Sequence, residues 1–372
     1  MTTSDRKIEH LLLCVEKDVE AHRTYFGQRA SGFDDVDLVH DCLPEINKKS
    51  LELELEFMGK KLRAPILIAS MTGGHPDTKA VNTALSCAAE ELGIGIGVGS
   101  QRAAIEDPSM EDSFRIVRDK APNAFIYGNV GAAQLNEFGI DGLERAVEMI
   151  GADAMAIHLN FLQEAIQPEG NVNATGCLEA IKKVCTELSV PVIVKETGAG
   201  ISHSQAVAIC DAGAAAIDIG GLGGTSWAGV ETFRAQKRGD MLSDHLGRQF
   251  WNWGIPTTVS IVESTISIPV IATGGIRSGI DVAKSIALGA SVCGVALPLV
   301  APALKGEKDV VDKLILIIEE LKVAMFLTGC RTIEELGSAP VVVSSKTREF
   351  LEQRGFDTGR FARKKKIMER SN

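Results

Sequence analysis

The chain has 372 residues, 45% of them hydrophobic and 24% charged, a balance that excludes disorder as its main state and provides for a sizeable core. Lys and Arg number 39 against 49 Asp and Glu, and the formal charge of -10 argues against a broad electrostatic surface for nucleic acid or anionic membrane, so any anion must be captured locally. The longest near-apolar stretch, Val292 to Leu304, is shorter than the ~20 residues of a spanning helix and contains Pro298 and Pro302, so no membrane span is expected.

The opening MTTSDRKIEH carries charges where a secretory signal would have a basic segment leading into an apolar one, which predicts a cytoplasmic protein. Residues 1–63 read as an N-terminal extension that covers the bottom of the following domain or reaches over its mouth. From Pro65 onward, short apolar runs bounded by Gly, Pro or polar residues recur: PILIAS from Pro65, GIGVGS from Gly95, AFIYGN from Ala124, AMAIHLN from Ala154, PVIVKE from Pro191, AAIDIGG from Ala215, PVIATGG from Pro269 and SVCGVAL from Ser291. None alternates with period two, as expected of strands buried on both faces, and most gaps of about 22 to 37 residues hold a loop and one helix. These β-α units predict a closed parallel barrel, a TIM (β/α)8 fold over residues 64–330. Thr78–Leu92 and Ser204–Ala212 space their Ala, Val, Leu and Ile as helices do, with Gly93 and Gly213 as C-caps. A doubly wound open sheet is the alternative, but no G-x-G-x-x-G stands at a strand-to-helix turn.

Two segments break the spacing. Gly220 to Pro269 is a long insertion after strand 6 that holds Trp227, Trp251 and Trp253, a candidate lid or subunit contact, or a surface excursion with local packing. After Ala303, VVDKLILIIEELKVAMFL reads as the helix that closes the ring, and residues 331–372 form a C-terminal segment with a basic, solvated tail, FARKKKIMERSN. The cysteines form no C-x-x-C pair and no Cys/His cluster of zinc spacing, so most, such as Cys210 and Cys293, read as reduced thiols in the core.

In such a barrel the loops leaving the C-terminal strand ends build the active site. Ser70, Thr72, Ser100, Gln101, Arg102, Asn129, His158, Asn160, Lys195 and Thr273 fall at or just after those ends. Lys195 closes PVIVK, where a buried ammonium requires an anion or strong acceptor, either a ligand or a neighbour such as Glu196. In PVIATGGIRSG the N–H groups of Gly274, Gly275, Ile276 and Arg277 can face an anion at a helix start, and a second turn near Ala296 and Leu297 adjoins it. One monophosphate fits there, although paired glycines also suit a tight strand-to-helix junction. Arg6, Lys7, His10 and Arg102 mark a second anion site if the fold brings them together; singly, each reads as solvated surface. After the fourth strand, His158, Asn160, Gln163 and Glu164 bunch. A lone carboxylate among amides is a poor metal cage but a good partner for Mg2+ that takes its other oxygens from a substrate phosphate, a combination that points to a diphosphate.

These motifs resemble one family, the FMN-dependent type 2 isopentenyl-diphosphate isomerases. The resemblance runs in order through RKIEH (Arg6 to His10), SMTGG (Ser70 to Gly74), GVGSQRAAIEDP (Gly97 to Pro108), HLNFLQEAIQPEG (His158 to Gly170), VKETGAGIS (Val194 to Ser202), GGLGGTSW (Gly220 to Trp227) and ATGGIRSG (Ala272 to Gly279). It implies that Met71, Thr72, Gly73, Ser100, Asn129, Lys195 and Thr225 hold the flavin ring and ribityl chain, and that Gly275, Ile276, Arg277, Ala296 and Leu297 hold its phosphate. It further implies a substrate diphosphate against Arg6, Lys7, His10, Ser100, Gln101, Arg102, His158 and Asn160, with Gln163 at the allylic end and Glu164 on Mg2+. Gln163, Lys195 and His158 are then the candidate catalytic residues. The implied reaction interconverts isopentenyl and dimethylallyl diphosphate with FMN reduced by NADPH, Lys195 stabilising the reduced cofactor, in a homotetramer or homo-octamer. Residues 172–176 match no assigned part of the pattern. Competing expectations are an FMN-dependent oxidoreductase of the 2-hydroxyacid oxidase or dihydroorotate dehydrogenase type on the same barrel, and a non-catalytic barrel that binds a phosphometabolite.

Overall fold

The computed structural model describes residues 3–22 and 29–363. Eight parallel strands close a barrel: β1 (Ile66–Ile68), β2 (Gly95–Gly97), β3 (Ile126–Gly131), β4 (Ala154–Leu159), β5 (Val192–Glu196), β6 (Ala216–Asp218), β7 (Val270–Ala272) and β8 (Val292–Val295), with β8 pairing back onto β1. Seven lie within the apolar runs of the sequence, and β3 starts in AFIYGN and continues two residues past it to Gly131. The helix Thr78–Leu92 ends on Gly93 in the left-handed region, and His203–Asp211 starts and ends one residue earlier than its spacing predicts. Glu307–Leu327 is the long helix that follows β8.

The barrel interior is filled at its lower end by Leu67, Tyr127, Ala154, Ala156, Ile193, Ala216, Ile271 and Val292. A hairpin of the N-terminal extension, Leu55–Phe57 paired with Lys60–Leu62, inserts Phe57 and Leu62 into this cluster, and the Phe57 ring stands edge-on to Phe125 at 5.5 Å. Aromatic burial there shuts the bottom to water.

The same extension also reaches the mouth, so both expectations for it hold. Its first helix, Thr3–Glu16, buries Leu13 against Val19 and Val230, each such aliphatic side chain contributing about 1.5–3 kcal/mol. Val230 belongs to the insertion after β6, whose helices Trp227–Arg238 and Met241–Gln249 pack on each other before Thr257–Ser264 resumes the regular repeat. Ser226 caps the first by accepting from Gly229 N–H, and Asp240 caps the second by accepting from Ser243 N–H. Residues 19–22 run along this insertion: Ser226 N–H donates to Val19 O, Ala21 N–H to Gly224 O, and the Trp251 indole to Glu20 O at 2.8 Å.

Val341–Val343 pairs antiparallel with Val36–Leu38, tying residues 331–363 to the extension. The basic run from Lys364 lies outside the described residues. Among the described residues no helix is long and apolar enough to cross a membrane.

Candidate active site

His158, Lys195 and Asp218 occupy one rung across β4, β5 and β6, at the C-terminal end of the barrel. All three border a cavity that β-α loops, the insertion and the first helix enclose. On that helix Arg6, Lys7, His10, Leu11 and Cys14 line it, and the spacing of one, three, one and three residues puts them on a single face.

His158 Nδ1 lies 2.8 Å from Asn129 Oδ1. Asn129 donates its amide nitrogen to Val98 O at 3.1 Å, which turns the oxygen to the ring; Nδ1 therefore carries the hydrogen and Nε2 a lone pair. Burial first, then the charges of Lys195 and Lys7, pull the imidazole pKa down to about 3, so the ring is neutral. The Lys195 ammonium donates to the main-chain oxygen of Glu196 at 2.9 Å. The Glu196 carboxylate turns away from it and accepts from the N–H groups of Thr197, Gly198, Ala199 and Gly200 through one oxygen, while burial pushes its pKa up to about 7. Asp218 accepts from the Thr273 hydroxyl and from Gly220 N–H, and burial raises its pKa as well.

Two amide–carboxylate pairs form the opposite wall. Asn160 Nδ2 donates to Glu164 Oε1 at 2.8 Å, and Asn171 N–H donates to Glu164 Oε2 at 2.6 Å. Gln163 Nε2 donates to Glu231 Oε1 at 2.8 Å, the same oxygen that stands 3.3 Å from His10 Nε2. Trp227 packs edge-on against the His10 ring at 5.2 Å. At the remaining edge Arg6, Lys7 and Arg102 converge; burial, Arg6 and Arg102 lower the Lys7 pKa to about 8. Among the described residues no three His, Cys, Asp or Glu side chains gather to hold a metal.

The fold thus brings Arg6, Lys7, His10, Met71, Thr72, Ser100, Arg102, Asn129, His158, Asn160, Gln163, Glu164, Lys195, Thr225, Ala296 and Leu297 onto one cavity. Five expected residues stand behind its surface. Gln101 is fully buried in the wall, donating to Ala146 O at 2.7 Å and accepting from Asn129 N–H. At Arg277 the N–H is held by Asp281 and the guanidinium by Glu20 at 3.0 Å. Gly73 packs over Phe114, while Ile276 is core and Gly275 lies one residue past the lining Gly274. Glu231 and Arg234, in VETFR of the insertion, went unread; their i,i+3 spacing is a helical ion-pair signal, but nothing in the sequence aims it at the mouth.

A family model described as FMN-dependent dehydrogenase matches residues 144–343. Isopentenyl-diphosphate delta-isomerases match nearly end to end: that of Methanosarcina barkeri is 61% identical over 97% of this chain and 98% of its own, and that of Archaeoglobus fulgidus 53% identical over 95% and 100%. The chain belongs to the FMN-dependent isopentenyl-diphosphate delta-isomerases. Among solved structures, a lactate oxidase from Pediococcus acidilactici aligns with TM-score 0.63 at 19% identity over 88% of each chain. A mutant flavocytochrome b2 aligns with TM-score 0.66 at 16% identity over 94% of this chain and 88% of that one. At such identity these two show the barrel alone.

The residues of this isomerase fit FMN. Thr72 Oγ1 is buried at the cavity with no hydrogen-bond partner among the described residues, and no described group accepts from the N–H of Gly275 or Ile276. Gly275 has φ +74, and a Cβ there would come within 2.6 Å of Gly223 O, so only glycine lets the turn pack this tightly and keep this conformation.

Proposed function

We propose that this isomerase shifts the double bond of isopentenyl diphosphate to give dimethylallyl diphosphate, and the reverse, with NADPH as reductant of FMN and Mg2+ on the diphosphate. The observation that carries the reading is the edge formed by Arg6, Lys7 and Arg102: two arginines, paired on their outer sides with Glu169 and Glu106, flank a lysine that has no ion-pair partner among the described residues. Such a cluster is costly until a polyanion enters. Ser100, His158 and Asn160 extend the same edge, and Glu164, oriented by the Asn160 amide nitrogen, supplies the carboxylate for the metal.

Reduced FMN, when bound, supplies a proton donor and acceptor beside the substrate. Met71, Thr72, Ser100, Asn129, Lys195 and Thr225 are the residues assigned to its ring and ribityl chain, and Gly275, Ile276, Ala296 and Leu297 to its phosphate. The Lys195 ammonium places positive charge where the reduced cofactor is anionic. Gln163, its amide nitrogen anchored on Glu231, turns its carbonyl oxygen to the allylic end and holds a proton route toward His10. Trp227 and the first helix exclude water from a transition state with cation character. Residues 1–63 accordingly complete a site otherwise built by the barrel of residues 64–330. Met241, Leu242 and Trp253, apolar side chains exposed on the insertion, support a subunit contact in a homotetramer or homo-octamer, which light scattering tests.

The deciding experiment is anaerobic incubation with FMN, NADPH, Mg2+ and isopentenyl diphosphate in deuterated water. Dimethylallyl diphosphate carrying deuterium is expected; no product from protein with bound, reduced flavin would overturn the reading. In the same assay Glu164→Ala should raise the Mg2+ requirement and leave FMN titration unchanged, whereas parallel loss of flavin would remove Glu164 from the metal.

A further inference from the structure

The phosphate turn contains a carboxylate. Asp281 sits in the first turn of the helix Gly279–Leu288, is 1% exposed, and accepts from the N–H groups of Arg277 at 2.9 Å and Ser278 at 3.2 Å. It therefore occupies two of the donors that a helix start offers an anion, and fixes a negative charge next to the place assigned to the dianionic FMN phosphate. The nearest cation on the turn does not offset this, because the Arg277 guanidinium pairs with Glu20.

Arg29 does. Its guanidinium donates from Nη1 to Asp281 Oδ2 and from Nη2 to Asp281 Oδ1, both at 2.9 Å, a parallel fork across 252 residues of sequence. Asp34 holds the fork in register by accepting from Arg29 Nε at 3.0 Å and from its N–H at 2.8 Å. Two residues on, Ser31 is fully buried with its Oγ unpartnered, and its Cβ lies 2.8 Å from where a Cβ on Gly275 would be. Thr258 N–H and hydroxyl pin Ser31 O from the barrel side. The segment from Arg29 to Asp34 thus lies against the back of the turn, where Arg29 bridges Asp34 and Asp281 and the Lys284 ammonium faces the same two carboxylates, so the four charges balance only while Arg29 is present.

We propose that Arg29 is a positioning residue for the cofactor phosphate: by neutralising Asp281 it makes the turn receptive to a dianion, and it ties FMN capture to the docking of the N-terminal extension. The inference rests on the assignment of the phosphate to Gly275, Ile276, Ala296 and Leu297. Two buried negative charges a few ångströms apart repel strongly when neither is paired, so the effect falls on the phosphate and spares the ring.

The test compares FMN with riboflavin, which lacks the phosphate, by quenching of flavin fluorescence on the full chain stripped of cofactor. Arg29→Ala should raise the FMN Kd by about 10- to 100-fold and leave the riboflavin Kd within about twofold. Asp281→Asn added to Arg29→Ala should recover most of the FMN affinity, since the uncompensated charge is gone. If Arg29→Ala weakens both flavins alike, or Asp281→Asn brings no recovery, Arg29 only props the segment and the proposal falls; unchanged FMN affinity overturns it too. Arg29→Gln gives the same comparison should Arg29→Ala fold poorly. Ala296→Glu separates the underlying assignment: it adds a carboxylate on the other side of the phosphate. If Ala296→Glu weakens FMN selectively and Arg29→Ala does not, only the role of Arg29 is wrong; if Ala296→Glu leaves FMN untouched, the phosphate lies elsewhere.

Discussion

Glu231 holds Gln163 in one orientation: Gln163 Nε2 donates to Glu231 Oε1 at 2.8 Å, and flipping the amide would set its oxygen against the carboxylate. Glu231 is ionised there. Burial works against the charge, but the nearby His10 ring, then the Arg234 charge and the Gln163 hydrogen bond, hold its pKa down to about 2. Gln163→Glu puts a second carboxyl against that anion, and the two must share one proton. We expect kcat to fall by about 100-fold, within the range for a lost proton-transfer group, with FMN affinity unchanged. Steady-state kinetics alongside flavin titration check this, and an undiminished kcat would take Gln163 away from the reacting carbons.

Lys7 sets an alkaline limit. Its pKa is lowered from 10.5 to about 8 by burial, Arg6 and Arg102, so the free enzyme carries the ammonium below that pH and loses it above. A diphosphate needs the charged form, hence kcat/KM should fall as pH rises through about 8, because that ratio reports the free enzyme. With substrate bound, the diphosphate charge restores the ammonium, and kcat should lack this limb. Lys7→Arg, charged at every accessible pH, should move the limb upward. A wild-type kcat/KM profile that stays level to about pH 9.5 would show that Lys7 meets no anion.

The barrel is legible in the sequence because strands covered on both faces leave uninterrupted apolar runs, and the strand-end rule then points to His158, Asn160, Lys195 and Thr273 without any knowledge of contacts. The same rule fails at Gln101. Position along a strand does not say which way the next side chain turns, and here Ala146 O and Asn129 N–H draw the amide into the wall. Arg277 differs for a related reason: its N–H reads as one more donor of the phosphate turn, and only the folded helix start shows Asp281 accepting from it. Glu231 and Arg234 were invisible because an insertion has no repeat to orient it. Which face of Trp227–Arg238 covers the mouth is decided by Val230 meeting Leu13 and Val19, a contact between distant segments that no local periodicity encodes.

Arg234 makes that contact electrostatically as well. It is fully buried and donates to Glu231 Oε2 at 2.6 Å, Glu9 Oε2 at 3.0 Å and Glu169 Oε1 at 2.8 Å, so a single guanidinium joins the insertion, the first helix and the loop after β4. Arg234→Met keeps most of the apolar stem but leaves three carboxylates facing one another without the cation, and breaking a buried pair from one side costs about 3–5 kcal/mol. The urea midpoint should drop accordingly, and KM for the diphosphate should rise because Glu9 no longer holds the helix that carries Arg6 and Lys7. Adding Glu231→Gln to Arg234→Met removes one of the stranded charges and should restore part of the stability, whereas independent sites would give simply additive losses. The double-mutant cycle therefore separates a charge-coupled network from three separate packing contacts: additive losses would mean that Arg234 supports the mouth by its bulk alone.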